Sequence, residues 1–212
     1  MSGTLRAVWL VDGFNLYHSL RRCEEEQGVG LRWLNVHLLA ENAQASSGSP
    51  CRVAEVRYFS ALPHHLVDKE PGRLERHRAY LRALTAWRPR CSVTLGHFQP
   101  HREAGAGIWK EKGTDMAIAA DVVRIAVRRQ AEEIVIVSGD SDFAPLALLM
   151  AETFSSTRLR FAFPAHRASR RLRQLCPGSF HLRPESYAKA QFPDEIELPS
   201  GKLLRKPTEW LL

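Results

Sequence analysis

The chain has 212 residues, 44% of them hydrophobic and 25% charged, a length and balance that suit one compact domain and exclude disorder, collagen and coiled coil as its main state. Lys and Arg number 30 against 23 Asp and Glu, and the net charge of +7 admits a polyanionic partner. The four cysteines, Cys23, Cys51, Cys91 and Cys176, are at least 28 positions apart, so no C-x-x-C pair can nucleate a zinc or redox site, and they read as reduced thiols. The apolar opening at 7–11 is far short of the roughly 20 residues that span a bilayer and lacks signal-peptide features. The expectation is a cytoplasmic protein without a membrane partner.

Apolar runs alternate with amphipathic segments, the pattern of a parallel sheet with helices on both faces. The first strand is predicted at 6–12 and is followed by Leu16, Leu20 and Cys23 at helical spacing. A helix over 33–43 ends in the Ser-rich loop 46–50. Next come a strand at 53–61, a helix at 72–86 and a strand at 91–98. Residues 99–113 hold three glycines and no sustained period and read as an exposed loop. Thr114 is predicted to cap a helix over 115–129, whose Ile118, Val122 and Ile125 mark a buried face. A strand at 133–138, a helix at 142–152 and a strand at 158–163 complete the unit. The organisation predicted is a domain over 1–165, a basic extension over 166–190 packed on it, and an extended tail over 191–212. Between Glu152 and Glu185 there are seven arginines and no acid.

In a parallel sheet all carboxyl ends emerge at one edge, and ligands bind there at the switch in strand order. Asp12 ends the first strand, Ser138-Gly139-Asp140-Ser141-Asp142 follows the fourth, and Asp115 opens a helix delivered from what should be the same edge. Each acid has an ordinary explanation: an Asp-Gly hairpin turn, a charge that complements a helix dipole, an N-cap at Asp142. Together those explanations are strained, because carboxylates gathered at one edge repel unless a cation or shared protons neutralise them. Oxygen ligands without cysteine or a histidine pair favour Mg²⁺ or Mn²⁺ over zinc. Such ions activate water and stabilise charge on phosphate, so phosphodiester hydrolysis is the expected chemistry.

In order and spacing, Asp12-Gly13-Phe14-Asn15, Lys112-Gly113-Thr114-Asp115 and Ser138-Gly139-Asp140-Ser141-Asp142-Phe143 resemble the three signatures of NYN domains. These are the branch of the PIN-like ribonuclease superfamily that includes LabA-like proteins. The resemblance spans about residues 5–165. It implies an α/β, PIN-like three-layer sandwich with a central, mostly parallel sheet. It also implies a Mg²⁺- or Mn²⁺-dependent endoribonuclease with Asp12, Asp115, Asp140 and Asp142 as metal ligands. Asn15 matches the family asparagine that orients the first aspartate or contacts substrate, and Ser138 the small polar residue ahead of the acidic loop. Thr114 departs from the small aliphatic residue usual there.

Several residues keep two readings. Asp121, on the buried side of its helix, either points toward the site behind the ligands or pairs with an arginine. Lys112 either holds a phosphate or is a solvated loop lysine. Trp109 either stacks on an unpaired base of single-stranded RNA or packs on the domain. Arg170 and Arg171 either track phosphates or lie on a solvated charged face. His64-His65 and the pair His97 and His101 are poor zinc candidates, since Pro100 breaks any helix joining the latter. A P-loop and a G-x-S-x-G elbow are missing, and the nucleophilic D-x-D of a phosphatase is missing at the first strand end, where Gly13, Phe14 and Asn15 follow Asp12. Single-stranded RNA cleavage is the leading function. The alternative is a catalytically silent regulator that binds RNA or a partner. A homo-oligomer is compatible with either.

Overall fold

The computed structural model describes residues 4–64, 70–87, 89, 91–100 and 109–211. The readings placed on His65, on His101 and on the loop 101–108 fall outside these.

The sheet is built around β1 (Arg6–Asp12), whose six residues after Arg6 are all buried. Its side chains alternate: Ala7, Trp9 and Val11 enter one core, Val8 and Leu10 the other. α1 (Gly13–Gln27) and α2 (Val36–Ser46) follow, then β2 (Arg52–Ala61), α3 (Arg73–Ala86) and β3 (Ser92–Pro100). β4 (Trp109–Lys112) turns back antiparallel on β3, and α4 (Thr114–Val127) returns the chain to β5 (Glu133–Val137). A 3-10 turn (Ser141–Phe143), α5 (Ala144–Thr153), β6 (Arg158–Phe163), α6 (Arg170–Leu175), β7 (Phe180–His181) and α7 (Pro184–Ala188) come next.

The order is β4-β3-β2-β1-β5-β6-β7, with every neighbouring pair parallel except β3 and β4. Leu16, Leu39, Tyr80 and Tyr187, from α1, α2, α3 and α7, pack on one face. Ile118, Ala147 and Leu172, from α4, α5 and α6, pack on the other. This is the α/β sandwich expected, with a PIN-like, mostly parallel central sheet. Strand order reverses between β1 and β5, which run in register with Val11 opposite Val137. Asp12 and Ser138 therefore leave the sheet side by side at its carboxyl edge.

Local chemistry corrects several boundaries. The helix predicted from residue 33 starts at Val36, because the Asn35 side chain accepts from the N–H groups of His37 and Leu38. Part of the predicted loop 99–113 is β4, a short and largely exposed strand without apolar alternation. Thr114 does not cap α4. Gly113 does, at φ +99°, and the Thr114 N–H donates to Glu111 Oε1 at 3.1 Å. Asp140, rather than Asp142, caps the 3-10 turn by accepting from the Asp142 N–H at 2.9 Å.

The sheet continues past residue 165 through β7. The segment read as an extended tail is folded: β8 (Glu195–Glu197) and β9 (Leu203–Arg205) form a hairpin, and Trp210 is buried against Trp33 and Tyr80 at ring-centroid distances of 6.1 and 6.3 Å. All four cysteines are buried and free. Among the described residues no helix is long and apolar enough to cross a membrane.

Candidate active site

The switch point is tied together by side chains from the turns after β1 and β5. Asp12 is 5% exposed. Its Oδ1 accepts from the Asn15 N–H at 3.0 Å, capping α1, and its Oδ2 accepts from the Ser138 hydroxyl at 2.9 Å. Ser138 Oγ accepts in turn from the Asp140 N–H at 3.1 Å. Asn15 Oδ1 accepts from the Gly139 N–H at 3.0 Å and from Arg167 Nε at 3.1 Å. Two glycines allow this closeness. A Cβ on Gly13 would lie 2.6 Å from the Phe59 carbonyl oxygen, and one on Gly139 would overlap the Arg167 carbonyl.

The carboxylates feel one another. Burial raises the Asp12 pKa above its ordinary value, and the charge of Asp140 adds to the rise, against the opposing hydrogen bonds from Asn15 and Ser138. Asp115, in the first turn of α4, is pushed up to about 6 by burial first and then by the charges of Asp12, Glu111, Asp140 and Asp142. The sequence reading had not singled out Glu111. No capping-box signal marks it, because that motif places its acid after the N-cap and Glu111 lies before Gly113. Among the described residues no three His, Cys, Asp or Glu groups form a ready-made metal cage. In chemistry the donor set still fits a hard divalent cation: it is all oxygen, it is partly desolvated, and its negative charges raise one another's pKa.

A cleft of about 510 Å³ opens over this edge, with Asp12, Asp115, Asp140 and Glu111 in its lining. Arg21, Arg32, Arg73, Arg76 and Arg167 line it as well. Trp109, 40% exposed on β4, borders the same cleft, as does the half-buried Tyr17, which Arg73 overlies at 5.9 Å. His77, hydrogen-bonded to Ser60 Oγ at 3.1 Å, is driven down to about 4 by burial and the nearby Arg73, so it is neutral at pH 7. The remaining candidates sit elsewhere. Asp142 is exposed and does not line the cleft, although its charge reaches Asp115. Lys112, Arg170 and Arg171 are exposed and also outside the lining. Asp121 is buried between Arg57, 2.9 Å from its Oδ2, and Arg124, so the arginine-pairing reading holds.

If the acids converge as described, Asp115→Asn should stabilise the metal-free protein at pH 7. It removes an ionised group whose pKa is raised from 3.8 to about 6, and hence a cost that grows as pH rises through that interval. After discounting for solvent around this half-exposed side chain, the gain is about 1 kcal/mol, or a melting temperature about 2–4 °C higher in EDTA. Adding Mn²⁺ should raise the melt of the wild type more than that of the variant. A variant that melts lower in EDTA would show that Asp115 is not under repulsion.

Fold and site together define a PIN-like α/β protein with an acidic cluster at its switch point. The family model for the NYN domain matches residues 6–182, and the chain belongs to that family, which lies within the PIN-like nuclease superfamily. Among solved structures, one of a protein of unknown function from Vibrio parahaemolyticus RIMD 2210633 superposes with a TM-score of 0.53 at 15% identity, covering 86% of this chain and 97% of that one. That likeness supports the fold alone. No curated protein matches the chain at a significant level.

Proposed function

We propose that the protein is a metal-dependent endoribonuclease that hydrolyses phosphodiester bonds of single-stranded RNA, of the LabA-like branch of its family. The observation that carries this reading is the electrostatic convergence of Asp12, Asp115 and Asp140 in a cleft that arginines also line. Asp12, Asp115 and Asp140 would hold Mg²⁺ or Mn²⁺ in the cleft, and Asp142, which lies outside its lining, would join them as a ligand only by turning in from the acidic turn. The ion would supply an activated water and neutralise charge growing on the phosphate.

The chain's own groups do the positioning. Ser138 and the Asn15 N–H fix the two Asp12 oxygens, and Asn15 and Ser138 also hold the backbone of the acidic turn. The cleft arginines attract a phosphate chain, while the aromatic side chains of Tyr17 and Trp109 line the path that unpaired bases would take. Lys112, Arg170 and Arg171, away from the cleft, would act only in long-range attraction of RNA.

A second reading, a catalytically silent regulator that binds RNA or a partner, is favoured by the absence of a ready-made metal cage among the described residues. The deciding experiment incubates purified protein with labelled single- and double-stranded RNA and DNA, with Mn²⁺, Mg²⁺ or EDTA. The nuclease reading expects cleavage of single-stranded RNA with either ion and none in EDTA. Binding without cleavage under every condition would support the regulator.

A further inference from the structure

The turn after β6 is built with unusual cost. The Arg167 N–H donates to the Pro164 carbonyl at 3.0 Å, and His166 adopts φ +62°, a left-handed conformation that a residue with a Cβ seldom takes. His166 Nε2 lies 3.0 Å from Glu26 of α1, which helps to hold the turn in place. The Arg167 carbonyl rests directly on Gly139, the residue ahead of Asp140, in space that no other residue type would leave open. The loops after β5 and β6 are thus packed as one unit.

That unit carries an arginine in a particular state. Arg21, Arg32, Arg73 and Arg76 each have an acidic partner, Glu25 at 3.0 Å, Glu24 at 2.8 Å, Glu70 at 2.7 Å and Glu209 at 2.7 Å. Arg167, which lines the same cleft as Asp12, Asp115 and Asp140, has no carboxylate at ion-pair distance among the described residues. Its Nε is held by the neutral Asn15 amide oxygen, and none of the four N–H groups on its Nη atoms has a partner among the described residues. Asn15 thereby fixes the guanidinium without neutralising it. The neighbouring His18 reports the resulting field: after burial, the charges of Arg167, Arg21 and Arg73 lower its pKa.

We propose that Arg167 binds a phosphate of the substrate strand next to the carboxylate cluster, its Nη fork gripping the phosphate oxygens. A planar fork suits two phosphate oxygens at once, and one already fixed through its Nε loses little entropy on binding. The proposal rests on the reading that a phosphodiester strand occupies the cleft, and it moves the nearest phosphate contact from the α6 arginines Arg170 and Arg171 to the turn before them.

The test measures binding of a labelled single-stranded oligoribonucleotide in EDTA across a salt series, beside cleavage in Mn²⁺, for wild type, Arg167→Gln, Arg167→Lys and Arg170→Ala combined with Arg171→Ala, each checked by thermal melt. Arg167→Gln should weaken binding about tenfold at low salt and lower the log–log salt slope by about 0.7. Arg167→Lys, which keeps the charge but not the fork, should recover the slope. Wild-type slope and affinity in a folded Arg167→Gln variant would overturn the proposal. So would an equal loss in Arg167→Gln and Arg167→Lys, which would make the residue structural, or a slope change confined to the Arg170 and Arg171 double variant. The nuclease reading fails separately: if wild type never cleaves yet Arg167→Gln still loses the slope, Arg167 binds phosphate in a silent binder.

Discussion

Asp140→Asn is expected to reduce the cleavage of single-stranded RNA in Mn²⁺ at least about a hundredfold, since even groups that only support metal ligands cost 10–100-fold when removed. The substitution is unusually clean. The Asp140 side chain caps the turn that follows it, accepting from the Asp142 N–H, and asparagine caps about as well as aspartate. The fold should therefore survive with its melting temperature little changed, while one negative charge leaves the site. RNA binding in EDTA should persist or tighten, because the cleft would repel phosphate less. The measurement pairs a cleavage time course with a binding curve for both proteins. Equal cleavage by the two would sink the nuclease assignment and trace the activity to a contaminant.

The second large effect is structural. Trp210 is 6% exposed, sits against Trp33 and Tyr80, and has the Arg32 guanidinium 5.4 Å from its ring centroid. Trp210→Ala should cost about 3–5 kcal/mol, the usual range for deleting a buried aromatic ring, and lower the melting temperature by about 10 °C. Trp210→Phe should keep most of that stability, since the buried Nε1 has no hydrogen-bond partner among the described residues and its loss leaves nothing unpaired. Thermal melts of the two variants decide the point. An unchanged melt in Trp210→Ala would mean that the last turn of the chain is only loosely docked.

These two residues mark the limits of what the sequence discloses. Asp140 was legible because β1 and β5 are continuous apolar runs, and a parallel sheet sends every carboxyl end to one edge. Asp12 and Ser138 were legible for the same reason. Trp210 was not, because residues 191–211 hold their few apolar groups at no regular spacing and are ordered by long-range pairing, such as Phe192 N–H to the Trp33 carbonyl. The basic side of the cleft was hidden differently. Arg21, Arg73 and Arg76 look like ordinary solvated helix charges until the packing of α1 and α3 turns them toward the cleft. The arginine run at 170–173 is dense in the sequence, yet Arg170 and Arg171 line no part of the cleft. Charge density in one dimension says little about convergence in three. Asp121 shows the reverse, a buried acid whose two arginine partners come from β2 and from its own helix.

The register of β1 against β5 has a consequence for how this sequence can vary. Val11 faces Val137, so Asp12 and Ser138 meet because the two strands carry the same count of residues up to the edge. Losing or gaining one residue in either strand would turn its later side chains to the opposite face and part the Asp12 carboxylate from the hydroxyl that holds it. The hairpin of β3 and β4 has no such arithmetic. An insertion between Pro100 and Trp109 would leave the paired rungs from Gln99 and Lys110 inward where they are. Length changes in descendants of this gene should therefore accumulate between β3 and β4 and spare the two strands that lead to the acids.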